Sequence, residues 1–182
     1  MAMLLLSFII YFTAHSVLAN NNCKIGKAIV QDVDMNQIIF NSWKWVFINN
    51  KQLLAQYSCR EDKIGQSIDG VAFTQCSHYG NSDGHNSSFS GSFYIFDGHF
   101  VNFTLPGNDN WSSTYEILAL EYGRFVIAGG CPKAIGGQSV VIMLFLSWKP
   151  CKDDLNAAKE ALSKTGLNFE DFQLFCPLSK TQ

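Results

Sequence analysis

From Ser42 to Trp148 the chain is a series of short apolar or alternating segments separated by residues that favour turns. Eight segments have the length and pattern of β-strands, at 42–48, 54–60, 67–76, 88–96, 99–105, 114–120, 124–128 and 139–147. Strands at such short spacing are typical of an antiparallel sandwich or barrel and not of a parallel α/β sheet. The chain is therefore predicted to be all-β.

One helix is predicted after these strands. Asp153-Asp154 is placed to begin it, because acidic side chains are favourable near the positive end of a helix. Gly166 is suited to end it, and Asn168 to cap a further short turn. The apolar residues that share one face at a 3.6-residue period are Leu155, Ala158 and Leu162. A single narrow apolar stripe predicts that the helix lies against the outside of the sheet.

The N-terminal nineteen residues contain no Lys, Arg, Asp or Glu. An apolar run is followed by Val17-Leu18-Ala19, whose small residues at the −3 and −1 positions suit signal peptidase. The run is shorter than the roughly 20 apolar residues of a membrane span. We therefore expect residues 1–19 to be a signal peptide and 20–182 to be one secreted, extracellular domain without a membrane span.

Composition excludes some functions and raises a question about others. With 13 Lys and Arg against 15 Asp and Glu, the chain lacks the cationic face that nucleic-acid phosphates require. Aromatic residues make up 14% of the sequence. In so small a domain their rings must be buried in a core or line a hole.

Six cysteines follow the predicted signal peptide, and an even count in an exported chain predicts three disulfides. A metal site is not expected, because no C-x-x-C pair occurs and the histidines have no ligand register. His78 and His85 fall in a polar stretch, which favours solvated loop histidines. Three sequons for N-glycosylation, at Asn86, Asn102 and Asn110, fit the same compartment.

Three segments carry a resemblance to the lipocalin family, over nearly the whole mature chain. Asp34-Met35-Asn36 followed by Phe40-Asn41-Ser42-Trp43 resembles the family's first motif, with Asn41 where the family has Gly. Leu120–Phe125 resembles the second motif, and Leu144–Trp148 the third, with Trp148 in place of an Arg that packs over the floor Trp. The resemblance implies an eight-stranded antiparallel up-and-down barrel with a C-terminal flanking α-helix, closed at its base by Trp43.

Further roles follow from the resemblance to lipocalins of the apolipoprotein D and insect pigment-carrier type. It implies the disulfides Cys23–Cys131 and Cys59–Cys176, which leaves Cys76 and Cys151 as a third pair by default. It also implies structural roles for Glu121 and Trp148, and for Arg124 or Lys149 as the cation packed on Trp43.

Alternation along strands predicts which rings face the barrel interior. Trp45 and Phe47 share the parity of Trp43, and Phe93 alternates with serines in the fourth strand. A two-residue turn at Asp97-Gly98 would set Ile95 opposite Phe100 and turn Phe100 and Asn102 inward, which conflicts with a glycan on Asn102. The predicted ligand-binding residues are Trp45, Phe47, Tyr57, Phe73, Phe93, Phe100, Tyr115 and Tyr122.

The predicted function is a secreted carrier that binds a small hydrophobic ligand inside the barrel. A lipid, a retinoid or a bilin-like pigment, held non-covalently, is the expected class, and no other cofactor is expected. The alternative is a secreted interaction or inhibitor protein that uses polar loops such as 77–87 and 107–113 on a barrel scaffold. An enzyme is not expected, because no arrangement of catalytic residues is evident.

Overall fold

The computed structural model describes residues 23–56, 59–79, 86–107 and 109–176. Within these ranges the chain forms nine strands and two α-helices. The strands are β1 (Ser42–Ile48), β2 (Cys59–Ile68), β3 (Val71–Tyr79), β4 (Ser87–Phe96), β5 (Phe100–Thr104), β6 (Ser113–Glu121), β7 (Phe125–Gly130), β8 (Val140–Phe145) and β9 (Gln173–Leu174). The helices are α1 (Lys51–Gln56) and α2 (Lys152–Lys164), with short 3-10 turns at Met35–Gln37, Lys133–Ile135 and Phe169–Asp171.

Strands β1 to β8 close into an antiparallel up-and-down barrel. Each strand pairs with the next, and β1 pairs with both β2 and β8, so that the sheet has no free edge between them. The short strand β9 is not part of the closed barrel and pairs with β1. The predicted fold class is confirmed, with one additional strand.

The first half of the barrel differs from the predicted strand boundaries. A strand was expected at 54–60, but Asn50 begins α1 there, because its Oδ1 accepts hydrogen bonds from the backbone N–H groups of Gln52 and Leu53. β2 therefore starts at Cys59 and runs on to Ile68. It turns into β3 at Asp69-Gly70, where both residues have positive φ, as a tight hairpin turn requires.

Helix α2 lies against the outside of the barrel, as its apolar stripe predicts. Ala158 and Leu162 are buried in one cluster with residues of β6, β7 and β8, among them Leu118, Ile127 and Met143. Gly166 has φ of +83°, and Asn168 Oδ1 accepts a hydrogen bond from Glu170 N–H at 3.2 Å. The predicted end of the helix and the following cap are both present. Within the described ranges, neither helix has the length and hydrophobicity needed to cross a bilayer.

Two of the three predicted disulfides are formed. Cys23–Cys131 ties the N-terminal segment to the end of β7, and Cys59–Cys176 ties the start of β2 to the residues after β9. The default third pair is wrong: Cys76 and Cys151 are both free thiols. Cys76 is buried in β3, whereas Cys151 is exposed and caps α2, its Sγ accepting from Asp154 N–H at 3.4 Å.

The turn before β1 also differs from expectation. Asn41 stands where the lipocalin family has Gly, but the residue of this turn with positive φ is the exposed Phe40, at +63°. The amide of Asn41 instead donates hydrogen bonds to the carbonyl oxygens of Gln37 and Ile38, at 3.3 and 3.4 Å. These bonds hold the turn in place of a glycine.

Candidate functional site

A cavity of about 140 Å³ lies inside the barrel. Most of its wall is apolar, and rings from β1, β4, β5 and β6 contribute to it. The lining residues are Ile38, Trp43, Trp45, Arg60, Asp62, Ile64, Thr74, Phe93, Val101, Phe103, Tyr115, Ile117, Val126, Ala128, Ile142 and Leu144. Such a cavity can enclose a small apolar molecule that presents a polar group to Arg60 or Asp62.

Trp43 closes one part of this wall. Its side chain is 2% exposed, and its Nε1–H donates to the carbonyl oxygen of Ile38 at 3.3 Å. Ile38, from the segment before β1, is buried in the same cluster as Trp43, together with Ile117 and Val126. The role of Trp43 in closing the base of the barrel stays a prediction.

Arg60, Asp62 and Trp45 form a polar network in the wall. The Nε–H of Arg60 donates to Asp62 Oδ1 at 2.9 Å, and the Nε1–H of Trp45 donates to Asp62 Oδ2 at 2.8 Å. The guanidinium carbon of Arg60 lies 4.0 Å from the centroid of the Trp45 ring. Each oxygen of the Asp62 carboxylate thus accepts a hydrogen bond from a neighbouring side chain.

Burial sets the ionisation of the groups around this network. Burial alone lowers the pKa of Arg60, but the Asp62 carboxylate raises it above its ordinary value, so Arg60 keeps its charge. Burial raises the pKa of the Cys76 thiol to about 12 and that of the Tyr115 phenol to about 12. Burial and the Arg60 charge lower the pKa of His78 to about 4. At neutral pH the network is therefore one ion pair among uncharged groups.

Thr74 is a further polar residue of the wall. It is buried in β3, and its Oγ1 has no hydrogen-bond partner within the described part of the chain. The Oγ1 atom is itself buried, so a water-sized group in the cavity does not reach it in this arrangement of side chains.

Three of the predicted ligand-binding residues line the cavity: Trp45, Phe93 and Tyr115. Glycines make room for rings in this region. A Cβ on Gly130 would lie 2.6 Å from Tyr115 Cδ1, and one on Gly91 would lie 3.3 Å from Phe103 Cε2. The part that these rings play in binding stays a prediction.

Phe47 does not line the cavity, so its predicted inward position is wrong. The pairing of β1 with β8 shifts between Trp45 and Phe47, as in a β-bulge, which places Val46 and Phe47 on the outer side. Phe47 packs edge-on against Phe145 and Phe169, with ring centroids 6.4 and 5.1 Å apart. Strict alternation fails here because one residue is inserted into the strand.

The inward position of Phe100 is also wrong. The β4–β5 hairpin pairs Phe96 with Phe100, so the loop has three residues, Asp97 to His99, and not the two that were expected. The extra residue reverses the parity of β5, so Val101 and Phe103 line the cavity. Phe100 instead stacks on Phe96 away from the cavity, with centroids 5.6 Å apart.

The remaining predicted rings fall outside the cavity or outside the described residues. Phe73 is 50% exposed, because its buried neighbours Ala72 and Thr74 take the inward positions of β3. Tyr122 is 36% exposed, and its hydroxyl accepts a hydrogen bond from Asp34 N–H at 2.7 Å, which ties the β6–β7 turn to the N-terminal segment. Tyr57 lies outside the described residues.

Glu121 and Arg124, two of the residues with predicted structural roles, lie near helix α2. Arg124 bonds to Glu121 and, through Nε at 2.6 Å, to Asp154 Oδ1, which links the β6–β7 turn to α2. Trp148 is half-buried after β8.

In the described ranges the cation–π contacts are those of Arg60 with Trp45 and Phe103, and of Lys159 with Phe169. The cation expected on Trp43, from Arg124 or Lys149, is thus not found, and Arg60 packs on Trp45 instead.

Sequence reasoning missed Arg60, Asp62 and Thr74. The predicted second strand ended at Arg60, which left Asp62 outside it. The available signal was the spacing of Arg60, Asp62 and Ile64, which alternate with Glu61 and Lys63 along β2 and share one face. His78 was expected in a solvated loop, but it is buried at the end of β3, opposite Arg60.

The three sequons lie on the surface in different settings. Asn86 and Asn110 are exposed, before β4 and in the β5–β6 connection. Asn102 is half-exposed in β5, where it pairs with Tyr94, and the reversed parity of β5 places it away from the cavity. The conflict between an inward Asn102 and its sequon is therefore removed, and the occupancy of all three sites stays a prediction.

Solved structures of other proteins share this architecture, although no protein-family model matches the chain. The major allergen Per a 4 from cockroaches has a TM-score of 0.70 at 18% identity, covering 86% of this chain and 96% of that one. Insecticyanin from the tobacco hornworm Manduca sexta has a TM-score of 0.69 at 14% identity, covering 88% and 89%. The amine binding protein of Rhodnius prolixus, in complex with tryptamine, has a TM-score of 0.66 at 15% identity, covering 84% and 85%.

These similar structures are lipocalins. The closed eight-stranded barrel with its C-terminal helix is thus the lipocalin fold, and the resemblance seen in the sequence is confirmed at the level of the fold.

Proposed function

We propose that the protein is a secreted carrier that holds one small hydrophobic ligand in the barrel cavity. The observation that carries this proposal is the apolar cavity itself, lined by Trp43, Trp45, Phe93 and Phe103 and with few polar groups, chiefly the paired Arg60 and Asp62. Ligand pockets have this composition, a largely apolar wall with a few placed polar groups.

Cavity size supports a ligand with about one ring. An apolar cavity of about 150 Å³ in another protein takes up benzene, and this one measures about 140 Å³. A lipid, a retinoid or a bilin-like pigment is larger and would require the side chains of the wall to move apart. The similar amine binding protein was solved in complex with tryptamine, a two-ring amine, which supports a small ring compound as the kind of ligand.

Secretion is supported by the cysteines. Cys23–Cys131 and Cys59–Cys176 are disulfides, which form and persist in oxidising compartments. The predicted signal peptide lies outside the described residues. The alternative function, an interaction protein acting through its loops, concerns 77–87 and 107–113, of which residues 80–85 and 108 lie outside the described residues.

Native mass spectrometry of the protein from its source tests the carrier function. We expect a mass above that of the glycosylated polypeptide, released as a small molecule when the protein is denatured. Ala128→Leu, which adds a larger side chain to the cavity wall, should abolish this extra mass, whereas Ala134→Leu, outside the cavity, should keep it. Protein that carries no small molecule and takes up none from a panel of ring compounds would overturn the proposal.

A further inference from the structure

The outer face of β4 and β5 carries a row of aromatic rings that lies away from α2, which packs on β6 to β8. Tyr94 and Phe96 are two positions apart in β4, and Phe100 of β5 pairs with Phe96. The ring centroids of Tyr94 and Phe96 are 5.8 Å apart, and those of Phe96 and Phe100 are 5.6 Å apart. A contiguous apolar patch that stays open at a protein surface commonly marks a place where another group is bound.

Tyr94 is the most open ring of this row. The residue is 42% exposed, whereas Phe96 and Phe100 are half-buried. Phe100 has His99 at a centroid distance of 4.6 Å in addition to Phe96, and within the described ranges Tyr94 contacts no ring but Phe96. Covering the exposed face of Tyr94 with another apolar surface would therefore be favourable.

Asn102 lies beside this ring. It pairs with Tyr94 across β4 and β5, and residues directly opposite each other in an antiparallel pair have Cβ atoms about 4.5–5.5 Å apart on one face. On its other side Asn102 pairs with Thr114 of β6, which offers no ring. Asn102 is half-exposed, and its side-chain amide has no hydrogen bond to any described residue. The amide can thus carry a substituent next to Tyr94.

The whole glycosylation sequon faces outward at this position. Asn102 and Thr104 lie on the outer face of β5, whereas Phe103 between them lines the cavity. The first sugar of an N-linked glycan is N-acetylglucosamine, whose ring has C–H bonds on both faces. Because the face of an aromatic ring is negative, it attracts such hydrogens, and the contact also removes apolar surface from water.

We propose that Asn102 is N-glycosylated and that its first N-acetylglucosamine packs on the ring of Tyr94, which stabilises the folded barrel. The proposal depends on the secretion proposed above, because N-glycans are added to exported chains. Since the sugar is tethered beside the ring, it is held at a high effective concentration and loses little freedom on contact. The exposed face of Tyr94 then has an occupant that belongs to this chain.

The test uses the full chain, secreted by a eukaryotic cell line whose glycan processing stops at the high-mannose stage. Endoglycosidase H trims each glycan to one N-acetylglucosamine, and peptide mass spectrometry determines whether Asn102 carries it. We expect trimmed wild type to melt roughly 2–4 °C above Asn102→Gln, the shift for one favourable aromatic contact in a chain of this length. The sequons at Asn86 and Asn110 are the same in both proteins, so any sugars there cancel.

Tyr94→Thr removes the ring on which the sugar is proposed to pack. In this background Asn102→Gln should change the Tm by less than about 1 °C. Phe73→Thr is the matched control, because Phe73 is also an exposed ring of the outer face, at 50%, but lies in β3. Two strand spacings, about 10 Å, separate β3 from β5, so one sugar on Asn102 does not cover it. In this background the full difference should remain.

NMR of the trimmed wild-type protein gives a readout that needs no substitution. We expect nuclear Overhauser effects between the C–H protons of the sugar on Asn102 and the ring protons of Tyr94. The same sugar protons should shift upfield, because they lie over the face of the ring.

The outcomes separate this proposal from the carrier function. An unmodified Asn102 in the secreted protein overturns the proposal, as does an Asn102→Gln difference that persists in Tyr94→Thr without sugar–ring contacts in NMR. A dimer of the trimmed protein that Tyr94→Thr dissociates also overturns it, since a second copy would then cover the ring. In each of these cases a ligand found in the cavity leaves the carrier function standing. If the sugar stabilises the barrel and the cavity takes up no ligand, the carrier function falls and this proposal stands, whereas a chain that is not exported overturns both.

Discussion

The two faces of the barrel wall are packed in different ways. On the outside, Leu118, Ile127 and Met143 meet Ala158 and Leu162 of α2, and all five residues are 0% exposed. On the inside, the same strands β6 to β8 line part of a cavity whose wall also includes the Arg60–Asp62 ion pair of β2. Close packing is thus concentrated under the helix, and the interior keeps open space. The barrel therefore does not need a filled interior to be held together.

The largest expected effect comes from the inner face, at the ion pair. Asp62→Leu leaves Arg60 buried without its counter-charge, and we expect the free energy of unfolding to fall by about 3–5 kcal/mol, as when other buried pairs lose one partner. Urea unfolding measures this. The double variant Arg60→Met/Asp62→Leu removes both charges and should recover most of the loss. If Asp62→Leu proves as stable as wild type, Arg60 must reach solvent in the variant.

A slightly smaller effect is expected on the outer face. Leu162→Ala removes a fully buried side chain between α2 and the sheet, and we expect a loss of about 2–5 kcal/mol in unfolding free energy. Binding of a cavity ligand should not change, because Leu162 is on the other side of the sheet. Ser163→Ala, exposed on the same helix, is the control. A large loss of ligand affinity in Leu162→Ala would mean that the two faces are coupled.

His78 should make the free energy of unfolding depend on pH. Its pKa is lowered from 6.5 to about 4 by burial and by the Arg60 charge, so the unfolded chain takes up a proton before the folded protein does. The stability that neutral His78 contributes is complete above pH 6.5 and is lost as the pH falls towards 4. Between pH 7 and pH 5 we expect the free energy of unfolding to fall by roughly 2 kcal/mol more in wild type than in His78→Gln. Urea unfolding at the two pH values measures this. Identical pH profiles would contradict this.

The sequence allowed the fold to be predicted because its signals are local. Alternation within strands, the stripe of α2 and the glycine that ends it depend on neighbouring residues, and these predictions were confirmed. Two of the errors came where one residue changed the register. The extra residue near Phe47 and the third loop residue, His99, each moved a predicted ring to the other face.

The candidate site was harder to predict for a different reason. Arg60 and Asp62 lie on β2 and Trp45 on β1, and the hydrogen bond from Trp45 to Asp62 follows from the antiparallel pairing of these strands. Charged side chains are ordinarily expected on the solvent side of a strand. Nothing in the local pattern says that this pair turns inward, and the cavity becomes visible only when the barrel is closed.

The smallest effects are expected at the two free thiols, of which one is buried and one is exposed. Cys76 is buried in the barrel wall, and burial raises the pKa of its thiol to about 12, whereas Cys151 is exposed at the start of α2. Because the thiolate is the reactive form, iodoacetamide should modify Cys151 alone in the folded protein and Cys76 only after unfolding. Cys151→Ser should change stability by no more than about 0.5 kcal/mol, as for most surface substitutions.

Intact mass spectrometry, without reducing agent, counts the modified thiols. We expect one label per folded chain and two per chain unfolded in urea, with the two disulfides unmodified. In Cys151→Ser the folded protein should take up no label, and in Cys76→Ser it should still take up one. A chain that takes up no label even in urea would mean that Cys76 and Cys151 are joined, and that the inner and outer faces are tied covalently through the wall.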